Sequence, residues 1–152
     1  MTEGMISRRV IADRLELLGD LIQLVKALPL NDRAAFFGDQ RNVAAAESCI
    51  RRSLEALLDL GRHILAKGFA VGVTEYKEIA DGLRRHEVLH AADADLLRVL
   101  AGYRNRLVHF YHEVSEEELF AVCSERLGDL EQLMEAYRTW ARSHPGKLDE
   151  AL

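Results

Sequence analysis

Eight consecutive residues, Arg104-Asn105-Arg106-Leu107-Val108-His109-Phe110-Tyr111, carry two guanidinium groups, a carboxamide, an imidazole and a phenol. Arginine presents a planar fork of donors that matches phosphate oxygens. Histidine, with a reference pKa near ~6.5, takes up and returns a proton at neutral pH. These are the groups that metal-free cleavage of RNA requires: the substrate's own 2′-hydroxyl is the nucleophile, one side chain removes its proton, and cations stabilise the charge gathering on phosphorus. His109 suits the proton transfer and Arg104 the phosphate, with Asn105 to orient phosphate or imidazole and Arg106 to add charge. At about 100° per residue, a helix puts Arg104 and Tyr111 on nearly one face and His109 roughly 140° from Arg104. One straight helix does not converge all three, so the site needs the helix to end near Val108, or a second copy of the segment from another subunit, or both. The structural reading of the same residues is a helix-terminal His109 favoured by the dipole, an Arg104 paired with a nearby acid, and packed aromatic rings. Phe110 in particular is expected in the core rather than as a stacking platform.

A second segment, His86-Glu87-Val88-Leu89-His90, matches the His-Glu-x-x-His pattern of zinc hydrolases. On a continuous helix the two histidines share a face and bind zinc while the glutamate acts as general base. The segment falls between two helical patterns, however, and no third ligand stands out, so the expectation is a surface turn with solvated histidines and no metal. Glu87-x-x-His90 also fits half of a di-iron site, but such sites need two copies and further glutamates. Gly68, Gly72 and Gly82 form no phosphate loop, and no serine or cysteine nucleophile has an evident base.

The elements that position these groups read as helices. The chain has 152 residues, 49% hydrophobic and 30% charged, with two prolines, which describes one ordinary globular domain over residues 1–152 with room for long helices. Apolar residues recur at helical spacing from Ile6 to Leu28 and again from Val43 to Leu65, with Asp32 to Phe37 as a short turn between them. Gly68 is the expected C-terminal cap of the second long helix. Phe69 to Val73 reads as a buried connection, and Thr74 as the cap of a third helix running through Leu83. A fourth runs from Ala92 or Asp93 to about Val108. Ser115-Glu116-Glu117-Glu118 is a capping box that opens a last helix to Trp140, and the tail after about residue 143 is expected to fray. Short connections between long helices favour antiparallel neighbours, so the fold class is all-α, an up-and-down antiparallel bundle.

Net charge is −5, which argues against broad adhesion to duplex nucleic acid and confines any RNA contact to a local patch. Arginines do gather at Arg84, Arg85, Arg98, Arg104 and Arg106. Cys49 and Cys123 lie in helical patterns and read as buried thiols. No apolar run is long enough to span a bilayer and no leader pattern opens the chain, so a cytoplasmic protein is expected.

The pattern Arg104-x4-His109-x-Tyr111 resembles the signature of the HepT-like toxins of the HEPN superfamily, which are small all-helical ribonucleases. The likeness extends to Leu57-Leu58-Asp59-Leu60-Gly61-Arg62-His63-Ile64, to the Tyr76–Leu83 helix and to the Leu100–Val108 run, and so covers nearly the whole chain. Asn105 fits a position where the superfamily favours a polar residue. His90 departs, standing where relatives often carry proline. The resemblance implies a homodimer whose cleft joins two motifs, an RNA substrate cut without cofactor, and a nucleotidyltransferase antitoxin of the MNT type. It also implies that Tyr111 is the acceptor for adenylylation by that partner. A non-catalytic module that only binds a nucleotidyltransferase is the alternative, against which intact Arg104 and His109 weigh.

Overall fold

The computed structural model describes residues 4–150, the side chain of Tyr111 excepted. Among the described residues, seven α-helices form an up-and-down antiparallel bundle: α1 Arg8–Lys26, α2 Arg33–Phe37, α3 Gln40–Phe69, α4 Tyr76–Arg85, α5 Ala91–His109, α6 Glu116–Glu125 and α7 Leu127–Ser143. Helix α3 is the axis. Its 30 residues extend about 45 Å, and it packs against each of the other six helices. It is long because Pro29 is followed by no other proline until Pro145, and because buried residues recur along its whole length, from Val43 and Ala46 to Ile64 and Leu65. No helix is long and apolar enough to cross a membrane.

The helix starts follow the capping rules where short polar side chains are available. The Ser7 Oγ accepts from the Val10 N–H at 3.2 Å, Asp32 from Ala35 at 3.1 Å and Ser115 from Glu118 at 3.1 Å, each satisfying a donor that the first turn leaves free. The Ser115 box is only half made. The Glu118 carboxylate is taken by both arms of Arg106, at 2.7 and 2.9 Å, a bidentate bond that ties α6 to α5.

Four boundaries differ from the expectations. Gly68 is not a cap but a buried residue inside α3; a Cβ there would lie 2.6 Å from Ile6 Cδ1, so glycine is needed for close packing. The cap is Ala70, in the left-handed region at φ 55°, whose N–H reaches the Leu65 carbonyl. Thr74 caps nothing, since α4 begins two residues later behind Glu75. The last helix is two helices, broken at Arg126 (φ −117°, ψ 5°). The segment after Ser143, expected to fray, is docked: Leu148 is buried and bridges Ile6 in parallel, the Asp149 N–H bonds the Ile6 carbonyl at 2.9 Å, and the Asp149 carboxylate accepts from the Arg8 N–H at 2.8 Å.

The core is continuous across the helices. Phe36 and Phe120 meet edge-on at 4.9 Å. Tyr137, fully buried, places its hydroxyl beside Gly61 and donates it to the Leu57 carbonyl at 2.9 Å, which satisfies the one polar atom it brings inside. Both cysteines are buried and unbridged. Burial pushes the Cys123 thiol up to about 12 and raises Cys49 as well, so neither supplies a thiolate nucleophile.

Candidate active site

Helix α5 ends at His109. Phe110 leaves helical geometry at φ −128°, ψ 42°, its N–H still bonded to the Arg106 carbonyl, and a 3-10 turn over Tyr111–Glu113 follows. His109 is still helical, one residue past the expected end near Val108, so its angular separation from Arg104 is bridged by the breadth of the cavity and not by unwinding. Within a single chain, Arg104, Asn105, His109 and Phe110 all line one cavity of about 500 Å³. Its opposite wall is the entry to α4, Thr74 to Lys77, and its side is closed by Arg62 from α3.

Arg104 is the best-held of these groups, with its side chain 17% exposed. Helix α3 holds it through a stripe of charged side chains of both signs, Glu47, Arg51, Glu55, Asp59 and Arg62, which the 3.6-residue repeat aligns on one face. Arg51 pairs with Glu47 at 3.2 Å and with Glu55 at 3.6 Å. Glu55 then receives Arg104 Nη2 at 3.4 Å, while Arg104 Nη1 donates to Asn105 Oδ1 at 3.3 Å. These are long bonds, and Arg104 Nε, buried, has no partner. The guanidinium is therefore steered by Glu55 and Asn105 without being neutralised in a tight ion pair.

Tyr76 is the platform beneath it. The Arg104 guanidinium carbon lies 4.5 Å from the centre of the Tyr76 ring and that of Arg62 lies 4.8 Å from it, so one phenol ring carries two cations by cation–π attraction. The Tyr76 hydroxyl donates to Asp59 at 3.4 Å. Burial, and next the Asp59 carboxylate, push its pKa above the ordinary phenol range, which keeps it a neutral donor and a ring rather than a base. Arg62, 3.8 Å from Asp59, retains charge to offer the cavity.

Of the sequence candidates, Arg104, Asn105 and His109 come together and Arg106 does not. It points to the other side of α5, held by Glu118. Tyr111 follows His109 by two residues in the chain, and its side chain lies outside the described residues. Phe110 is not core: it is 49% exposed at the cleft. Glu55, Arg62 and Tyr76 were not singled out from the sequence, although the run of charged residues at i, i+3 and i, i+4 spacing on α3 was a readable sign that something charged would face it. The His-Glu-x-x-His segment spans two helices: His86 ends α4, Glu87 sits at φ 60°, and His90 precedes α5. Among the described residues, no group of three or more histidine, cysteine, aspartate or glutamate side chains is placed to hold a metal ion.

The family described as ribonuclease HepT-like matches residues 15–137. The chain belongs to the HepT-like family. Three solved structures share its fold. One is a toxin-antitoxin complex with AMP-PNP, 19% identical, covering 84% of this chain and 97% of its own, at a TM-score of 0.75. Another is the tri-AMPylated Shewanella oneidensis HEPN toxin in complex with MNT antitoxin, 20% identical, covering 86% and 97%, at 0.76. The third is YutE from Bacillus subtilis, a cytosolic protein of unknown function, 20% identical, covering 93% and 95%, at 0.77. No curated protein matches in sequence. The matched span contains Arg104, Asn105, His109 and Tyr111, together with the α3 stripe that steers Arg104 in this HepT-like chain.

Proposed function

We propose that the protein is the endoribonuclease toxin of a toxin-antitoxin pair and cleaves RNA without a metal. The observation that carries the reading is the convergence of Arg104, Asn105 and His109 on one cavity at the end of α5. In the reaction His109 takes the proton of a 2′-hydroxyl as its oxygen attacks phosphorus, and the bond to the 5′-oxygen breaks to leave a 2′,3′-cyclic phosphate. The leaving oxygen takes up a proton, from His109 of the same subunit or from the second copy in a homodimer. Arg104, with donors to spare, stabilises the extra negative charge of the transition state. A two-fold dimer would double the set of cations in the cleft.

Control falls to a nucleotidyltransferase antitoxin that adenylylates Tyr111, two residues beyond His109. The added phosphodiester would compete with RNA phosphate for Arg104. The solved HEPN toxin with the same fold is AMPylated and bound to an MNT antitoxin, which supports the same pairing here.

The test is RNA cleavage by the purified protein in excess chelator. His109→Ala is expected to lose about 10² to 10⁴-fold, the usual share of acid–base catalysis. Unchanged turnover in that variant would remove His109 from the mechanism, and inactivity of the wild type would leave a binding module. With a cognate nucleotidyltransferase and ATP, mass spectrometry should find adenylate on Tyr111 and none on Tyr111→Phe.

A further inference from the structure

Resting on the ribonuclease reading, we infer that the cleft carries a subsite for one unpaired nucleobase, with Phe110 as its stacking platform. The chain has five phenylalanines. Phe36 and Phe120 are buried, and Phe37 and Phe69 pack against the core. Phe110 alone among them is a half-exposed ring, and it is next to His109 on the wall of the same cavity. The backbone turn that ends α5 puts it there, since one more helical residue would carry the ring elsewhere.

The surroundings match a nucleotide. Arg62, Lys77 and Arg104 line the cavity with Glu75 as its one carboxylate, so cations outnumber carboxylates on its walls. Lys77 has no ion pair among the described residues, and Arg62 has only the 3.8 Å contact with Asp59. A volume of about 500 Å³ is in the range of small-ligand pockets and suits a single nucleotide unit, not a duplex. The protein as a whole carries net charge −5, so long-range attraction to phosphate contributes little and affinity must be local. An aromatic face supplies it without regard to sequence, provided the base is free of a helical stack.

Fluorescence anisotropy with a labelled single-stranded 2′-O-methyl oligonucleotide tests this, because that probe lacks the attacking hydroxyl and reports binding apart from cleavage. Phe110→Ala should weaken binding by roughly 5- to 150-fold. Phe110→Trp should restore it, and the new indole emission should be quenched as a base stacks, over a constant background from Trp140. Annealing the probe to its complement should reduce wild-type affinity to the level of Phe110→Ala. Equal affinity of wild type and Phe110→Ala, or equal binding of duplex and single strand, overturns the subsite. So does a fall in sedimentation mass on Phe110→Ala, which would place the ring in a subunit contact. Failure of the ribonuclease reading looks different: wild type would bind the probe yet leave 2′-hydroxyl RNA intact.

Discussion

Helix α5 has a histidine at each end, His90 just before its first turn and His109 as its last residue, and each belongs to a segment that resembles a catalytic motif. At the N-terminal end, the backbone is committed to a tight turn between α4 and α5. Val88 and Leu89 are buried, their N–H groups both bond the Leu83 carbonyl, at 2.8 and 3.2 Å, and His86 stacks on Phe69 with ring centres 4.6 Å apart. The two histidines are thereby separated onto different elements, and the geometry that gives His-Glu-x-x-His its meaning, one continuous helix, is absent. At the C-terminal end the helix simply stops, and neighbouring elements bring Arg62, Tyr76 and Lys77 to the opening. The same residue type at the two ends of one helix has different surroundings because of what the packed neighbours supply, a tight turn at one end and a cation-lined opening at the other.

The contrast is broken most directly by exchanging the damage. His90→Ala and His86→Ala should leave cleavage within a few-fold of wild type in chelator, against the loss of about 10² to 10⁴-fold for His109→Ala. A large defect in His90→Ala would mean that the turn takes part after all. The two arginines of α5 offer a second contrast, read by single-turnover cleavage. Arg104→Lys keeps the charge but loses the planar fork and its fit on Tyr76, so turnover should fall by about 10²-fold, the scale for losing one transition-state donor. Arg106→Ala breaks a half-exposed, solvent-screened pair with Glu118, which adds little stability, and should leave turnover nearly intact. Equal losses in the two variants would show that Arg106 reaches the substrate, for example across a dimer.

Periodicity made the helices legible, because each long one must present an apolar stripe to α3. Their ends were less so. Gly68 has the composition of a cap, but the space it leaves is taken by Ile6, from a segment 62 residues earlier, and no local rule reports a contact of that range. The docked tail has the same origin, since Leu148 is bridged to Ile6 from the far end of the chain. In the site, Arg104, Asn105 and His109 were readable as chemistry, while Tyr76 was readable only as one more helical residue. Its role depends on where α4 enters the bundle. Phe110 was misplaced because an aromatic residue is more often buried than not, and the turn that exposes it is set by the end of α5.

The turn at the quiet end of α5 also predicts a gain. Glu87 adopts φ 60°, a region that costs an L-residue roughly 1–2 kcal/mol. Glu87→Gly removes that strain but adds freedom to the unfolded chain, which costs about 0.4–1 kcal/mol, so the net expectation is a gain of up to about 1 kcal/mol, seen as a rise of a few degrees in Tm. Cleavage should be unaffected. If Glu87 were instead a general base beside a zinc ion, the same variant would be inactive, so stability and activity read together separate the two accounts.

The smallest effect concerns a third histidine, which shows how a fully structural one behaves. His63 Nε2 accepts a hydrogen bond from the Ser7 N–H at the start of α1, at 3.2 Å. Burial lowers its pKa, Lys67 and Arg14 lower it further, and Asp149 opposes them. An unfolded histidine titrates near ~6.5, so between that pH and the depressed folded value the unfolded chain binds more protons. The stability that neutral His63 contributes is therefore complete above ~6.5 and is lost as pH falls toward the folded pKa. A protonated Nε2 would also present a hydrogen to the Ser7 N–H instead of a lone pair. Denaturant midpoints measured between pH 8 and 5 should fall more steeply for wild type than for His63→Gln, whose carboxamide oxygen still accepts but does not titrate. Parallel curves would assign the acid sensitivity to other groups and leave His63 as a simple spacer between α1 and α3.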